Sequence, residues 1–278
     1  MFQRVLFMLL AMIFFTTTAW SKNILCTTTP VWLPVRDIAR NAANINITLL
    51  MPPQHGCAHD YAPAPRDLAA AAKPGALLIA NGLGMDDHIV SAVKKVNKDI
   101  STVYIADLSD KLDAHFFIAP GNAVLMVKNI VKALSRFDPA NKAVYQANGA
   151  RYISELDKLS QKYRTLPRQQ YVVLQGSIFI HLANALEYNA ILARQQHDTV
   201  PGGGDLRKLM QKIKKLQPYA VWAEKNSSDP LINMLKKNTN LPIIELETLL
   251  QTPADPPADY FIKQMRYNFE ILQKAAQK

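Results

Sequence analysis

His55, Cys57 and His59 alternate along His55-Gly56-Cys57-Ala58-His59, a stretch opened by Pro52-Pro53. Imidazole and thiolate are the side chains with which proteins grip transition metals, and a short loop broken by Pro and Gly can turn such groups toward one ion. An apolar β-branched run, Ile45 to Met51, precedes the loop and reads as a buried strand. The ligands would then sit at the carboxyl end of a strand, the edge where open α/β sheets bind. A further histidine, His115, stands between Asp113 and the pair Phe116-Phe117. Alone it fits a loop residue packed on two rings as well as it fits a ligand. Other chemistries lack their residues. Gly202-Gly203-Gly204 is not followed by Lys-Ser/Thr at phosphate-loop spacing, and neither His-Glu-x-x-His nor Gly-x-Ser-x-Gly occurs.

The elements that would position these residues alternate. Asn23 to Thr27, Ile45 to Met51, Ala76 to Ala80 and Thr102 to Ile105 read as strands. Helical patterns lie between them at Trp32 to Asn41, Arg66 to Ala72 and Asp87 to Lys95, the last with Asp86 as its expected N-cap. Amphipathic Val124 to Ser135 follows, and after Asp138-Pro139 a pattern with few breakers runs from Ala140 to about Arg164. A helix of that length exceeds an ordinary crossover and reads as a rigid spine. Strands then return at Tyr171 to Leu174, Ala220 to Ala223 and Ile243 to Leu246. Helices are expected at Phe179 to Tyr188, Leu206 to Leu216, Pro230 to Lys237 and Tyr260 to Ala276. Such alternation predicts parallel sheets covered by helices.

The chain opens on a sorting signal: Arg4, an apolar core from Val5 to Phe15, and Ala19-Trp20-Ser21 as a small–x–small cleavage site before Lys22. The core is too short to span a bilayer, so a soluble exported protein is expected. Cys26 lacks the small residues that precede a lipidated cysteine, since Asn23-Ile24-Leu25 stands there. The formal charge of +10 drops by one with Arg4. The remainder is spread over faces such as Arg207-Lys208 and Lys212 to Lys215 rather than interleaved with aromatics, which argues against a nucleic-acid groove. Anionic lipid heads or an acidic partner stay compatible with that charge. Cys26 and Cys57 could bridge in an oxidising compartment, or Cys57 could remain a thiolate ligand.

Pro52-Pro53 followed by His59-Asp60-Tyr61-Ala62-Pro63 resembles the first ligand loop of the periplasmic zinc/manganese-binding proteins of ABC transporters, the ZnuA/TroA-like family. The stretch Asp113-Ala114-His115-Phe116-Phe117-Ile118-Ala119-Pro120-Gly121-Asn122-Ala123 is similar to that family's second ligand segment, with Ala114 replacing a Pro and Ala119 a second Asp. The third ligand, a His or Glu after a strand, falls on Gln175 or Gly176, depending on register. An amide oxygen is a poor zinc ligand, so Cys57 or His55 are alternatives, while His181, a turn further on, should pack or face solvent. Glu247, in Glu245-Leu246-Glu247-Thr248, takes the place of the fourth ligand, an Asp. Trp222-Ala223-Glu224-Lys225 resembles a segment between the lobes, where Glu224 would line the cleft or hold a ligand imidazole.

The resemblance covers nearly the whole exported chain. It implies two α/β lobes with parallel sheets joined by one long rigid helix, the metal site in the inter-lobe cleft. In residues, 1–21 would be the signal peptide, 22–138 the first lobe, 139–165 the linking helix and 166–278 the second lobe. The metal ligands would be His59, His115, Glu247 and Gln175, with zinc favoured over manganese. The expected role is capture of the ion in the periplasm and delivery to an ABC-type permease. It implies a monomer that meets the inner membrane only through that permease, and no enzymatic turnover. Capture should weaken in acid, because ligation requires neutral imidazole. Two other readings share these residues: a divergent relative acting on a metal chelate or as a metallochaperone, and a zinc hydrolase with an open coordination position.

Overall fold

A computed structural model describes residues 21–55, 58, 61–106, 113–168, 170–194 and 202–277. Residues 1–20, which hold all but the last residue of the expected signal segment, and Cys57 and His59 lie outside the described residues. Strands β1 (Lys22–Cys26), β2 (Ile45–Leu49), β3 (Leu77–Ala80) and β4 (Ser101–Tyr104) form one parallel sheet in the order β2-β1-β3-β4. Helices α1 (Thr29–Ile38), α2 (Pro65–Leu68) and α3 (Asp87–Val96) connect them. The order doubles back at β1, which places a crevice beyond the carboxyl ends of β1 and β3. β3 is buried along its whole length, as its unbroken apolar run demands of a parallel strand covered on both faces.

A second sheet repeats the plan. Strands β5 (Tyr171–Leu174), β6 (Asn189–Leu192), β7 (Ala220–Glu224) and β8 (Ile243–Leu246) run parallel in the order β6-β5-β7-β8. Between the sheets in sequence come α4 (Pro120–Phe137) and the 22-residue helix α5 (Lys142–Tyr163), separated by a 3-10 turn at Pro139–Asn141. Helix α6 (Ile180–Ala185) follows β5. α7 (Gly203–Leu216) and α8 (Pro230–Asn238) follow in turn, and α9 (Tyr260–Ala276) closes the chain. The two-lobed α/β class expected from the sequence is what the structure has. Among the described residues no helix is long and apolar enough to cross a membrane.

The main core runs without interruption from Ile24 in β1 through Phe117, Tyr152 and Trp222 to Leu272 in α9, so one apolar cluster serves both lobes. α5 packs closely on α4. A Cβ at Gly149 would collide with Val131 Cγ2, so only glycine fits that crossing. The corner between the two helices is fixed by Asp138, whose Oδ2 accepts from Asn141 Nδ2 at 2.6 Å and from the Tyr145 hydroxyl at 2.7 Å. Lys22 at the start of β1 lies 3.4 Å from its other oxygen. A smaller separate core, including Val173, Leu209, Val221 and Leu235, lies under α7 and α8 on the outer face of the second sheet.

Several element boundaries differ from expectation for local reasons. β6 was not anticipated, because Asn189-Ala190-Ile191-Leu192 is too short to show alternation and follows the left-handed Glu187 (φ 58°) with no Gly or Pro to announce it. α4 begins at Pro120 rather than Val124, since proline is tolerated in a first turn that needs no donor. Asp86 does precede α3, yet its side chain does not cap it. Cys26 is a free, fully buried thiol rather than half of a disulfide.

Candidate metal centre

The first lobe prepares its side of the crevice with a buried polar platform. Asn81-Gly82-Leu83-Gly84 leaves β3 through three consecutive left-handed residues, with φ of 86° at Gly82, 58° at Leu83 and 83° at Gly84. Asp86 is fully buried, and its carboxylate accepts from Asn81 N at 2.6 Å, Gly82 N at 3.0 Å and Thr27 Oγ1 at 2.5 Å. Its charge thus closes the loop instead of capping the helix. Burial raises the Asp86 pKa, with these hydrogen bonds opposing. Asn81, also fully buried, donates from Nδ2 to Ala114 O at 3.0 Å and so holds the peptide that leads into His115.

His115 is buried, and Asp113 fixes it twice: Oδ1 accepts the His115 backbone N–H at 2.9 Å and lies 2.7 Å from ring Nδ1. Burial pushes the Asp113 carboxyl up, but hydrogen bonds from His115 and Ser177 and the His115 charge outweigh it and pull the pKa down to about 2. An ionised Asp113 only accepts, so in the neutral ring the proton is on Nδ1 and the lone pair on Nε2. That is the carboxylate–histidine arrangement that orients a metal-ligating imidazole. The ring also packs edge-on against Phe117, 6.1 Å between centroids, the contact that the packed-loop reading of this histidine called for.

The second lobe reaches across to the same loop. His181 in α6 is buried and donates from Nε2 to Asp113 O at 2.9 Å, and Ser177 hydrogen-bonds the Asp113 side chain. His181 therefore packs, as expected, and it also stitches the lobes together. On the loop before His59, Pro53 O accepts from Thr252 N at 3.0 Å, a second stitch. Beyond His59, the Tyr61 hydroxyl donates to Asp67 Oδ2 at 2.7 Å, which anchors the chain where it leaves the loop. His55 is exposed and lies edge-on to Tyr61, 5.0 Å between centroids.

Gln175 follows β5, buried, with its amide committed inside the second lobe. Nε2 donates to Ser227 Oγ and Asp229 Oδ2, both at 2.9 Å, and Oε1 accepts from Glu224 N at 2.9 Å. Both N–H groups are used and one lone pair of Oε1 remains. Asp229 also caps α8 through Leu231 N at 2.9 Å and pairs with Arg194. Gln175, Gly176, Ile178, Arg194 and Glu224 line a cavity of about 10 Å³, room for about one water. Glu224, expected to line the cleft or hold a ligand imidazole, borders Gln175 here, and its backbone N–H is what Gln175 Oε1 accepts.

Glu247 comes directly after β8. Its backbone is clamped by the buried Asn268 of α9, which accepts from Glu247 N at 2.8 Å and donates to Glu247 O at 2.9 Å. Its Oε1 meets Lys225 Nζ at 2.7 Å, a hydrogen bond that raises the lysine's pKa. Of the four ligands expected from sequence, His115, Gln175 and Glu247 each stand at the carboxyl end of a strand or in the loop beyond it. His59 lies outside the described residues. Among the described residues no group of three or more His, Cys, Asp or Glu is arranged to hold an ion. Sequence reasoning missed the supports: Asn81, Asn268 and Asp113 as orienter. The Asp-x-His spacing of Asp113 and His115 was a usable signal, because a carboxylate two residues upstream reaches both the N–H and the ring.

Residues 24–275 match the family described as ZnuA, the periplasmic component A of the zinc-uptake complex. A metal ABC transporter substrate-binding lipoprotein of Streptococcus cristatus, ScbA, is 25% identical over 270 residues, covering 88% of this chain and 86% of its own. The iron ABC transporter substrate-binding lipoprotein MtsA of Streptococcus pyogenes serotype M1 is 23% identical over 244 residues, 79% of this chain and 78% of its own. In three dimensions the fold is similar to FpvC of Pseudomonas aeruginosa, solved with Mn2+. The TM-score is 0.81 at 19% identity, covering 92% of this chain and 98% of that one. With two parallel sheets flanking a prepared histidine and a profile match along nearly its whole length, the chain belongs to the ZnuA family of metal ABC transporter substrate-binding proteins.

Proposed function

We propose that this protein captures zinc, or less readily manganese, between its lobes and hands the ion to an ABC-type permease. The observation that carries the reading is the Asp113–His115 pair, in which the imidazole is buried and oriented so that Nε2 holds the lone pair. His59 and His115 would ligate from the first lobe and Glu247 from the second. Gln175 would be the weakest member, offering only the remaining lone pair of Oε1. Two imidazoles and a carboxylate suit zinc, and manganese prefers more oxygen. The metals named for relatives include iron and manganese, which makes the choice of ion the point to measure.

In this reading residues 1–21 are removed on export and the mature monomer works in the periplasm. Residues 22–138 and 166–278 act as the lobes and 139–165 as the link. The test is calorimetric titration of the metal-stripped protein with zinc and with manganese, beside His59→Ala, His115→Ala and Glu247→Ala. One tight zinc site is expected, weakened by about 3 kcal/mol or more in each variant, a hundredfold in Kd. Tight binding that survives all three substitutions would place the ion elsewhere.

A further inference from the structure

Glu247 is already occupied by a cation that belongs to the protein. Lys225 Nζ lies 2.7 Å from Glu247 Oε1 and 4.6 Å from the centroid of Tyr267, whose ring face it covers. The meeting is prepared by the backbone. β7 and β8 pair in register up to Glu224 and Leu246, and Lys225 N donates to Leu246 O at 2.9 Å, so the next residues on each strand are set side by side. Asn268 clamps the Glu247 peptide from the other side. Both side chains keep a path to solvent, with 35% of Lys225 and 21% of Glu247 exposed. The pair can therefore open without unfolding anything.

An ammonium and a divalent ion compete for the same carboxylate, because each neutralises it and they repel one another. On the reading that Glu247 is a ligand, we infer that Lys225 is a tethered competing cation. It holds the Glu247 carboxylate while the cleft is empty, is displaced as the metal arrives, and re-engages as the metal departs. The arrangement keeps a partly buried carboxylate compensated in both states, lowers affinity for the ion and speeds its release. Lys225 thus sets how firmly the metal is held, without touching it.

The experiment is zinc affinity by chelator competition, with the zinc dissociation rate by stopped flow, on the purified protein. The variants are Lys225→Gln, Lys225→Arg, Glu247→Gln and the double substitution Lys225→Gln/Glu247→Gln. Lys225→Gln should bind zinc about five- to tenfold tighter and release it correspondingly more slowly. Lys225→Arg, which keeps the charge, should stay near wild type. The double variant should be as weak as Glu247→Gln, showing that the lysine acts through that carboxylate. Unchanged or weaker binding in Lys225→Gln, with Glu247→Gln still impaired, overturns the competition and leaves the ligand in place. No loss in Glu247→Gln overturns both. Lys225→Met, melted metal-free beside the others, separates a folding defect from the effect on zinc.

Discussion

At the scale of single residues, Asp113 does the most for its size. One carboxylate oxygen fixes the His115 backbone and its ring, and so decides which nitrogen carries the proton in the neutral ring. Asp113→Asn keeps the shape but can present N–H where an acceptor is needed. Zinc affinity should fall about 10–100-fold with the fold intact, the usual cost of losing a ligand's orienting partner. Titration beside circular dichroism checks it, and unaltered affinity would make the pair a packing detail. The histidines could be picked out from the sequence because their chemistry is rare and their neighbours distinctive. Gln175 shows the limit: its residue type made it a weak ligand, but nothing in Leu174-Gln175-Gly176 reveals that Ser227, Asp229 and Glu224, some fifty residues on, consume its amide.

At the scale of elements, the α4–α5 corner governs how the long helix leaves the first lobe. Asp138 there gathers Asn141, Tyr145 and Lys22, and Tyr145 is fully buried. Asp138→Ala would leave the Tyr145 hydroxyl unpaired in the core, at a cost of roughly 2–4 kcal/mol in stability. Burial raises the Asp138 pKa, but its partners outweigh that and lower it overall. The stabilisation is therefore present above the unfolded carboxyl's pKa and lost as pH falls through the folded one. Denaturant melts of wild type and variant should converge in acid. A constant gap down to the lowest pH would show that the carboxylate charge contributes nothing. The long helix itself was legible, since few breakers interrupt Ala140 to Arg164, and it proved to be α5 with a 3-10 turn ahead of it. β6 was not, because four residues carry too little pattern to outweigh their polar neighbours.

For the whole molecule, the shared core argues for small motions. One apolar cluster runs from β1 to α9, and His181–Asp113 and Thr252–Pro53 bind the lobes across the crevice. Wide hinge closure would have to break this core, whereas a slight rocking would not. Solution scattering of metal-free and zinc-loaded protein should give superimposable profiles, and a marked contraction on loading would refute the rigid frame. The sequence could announce two α/β lobes through alternating patterns. It could not announce a common core, which depends on which helix faces meet. Asp229 adds a last consequence. Its carboxylate is shared among the first turn of α8, Arg194 and the Gln175 amide, while α8 itself rests on the small outer core. The outer surface of the second lobe is thereby geared to the buried end of β5: whatever nudges α8 from outside turns the same carboxylate that sets the direction of Gln175.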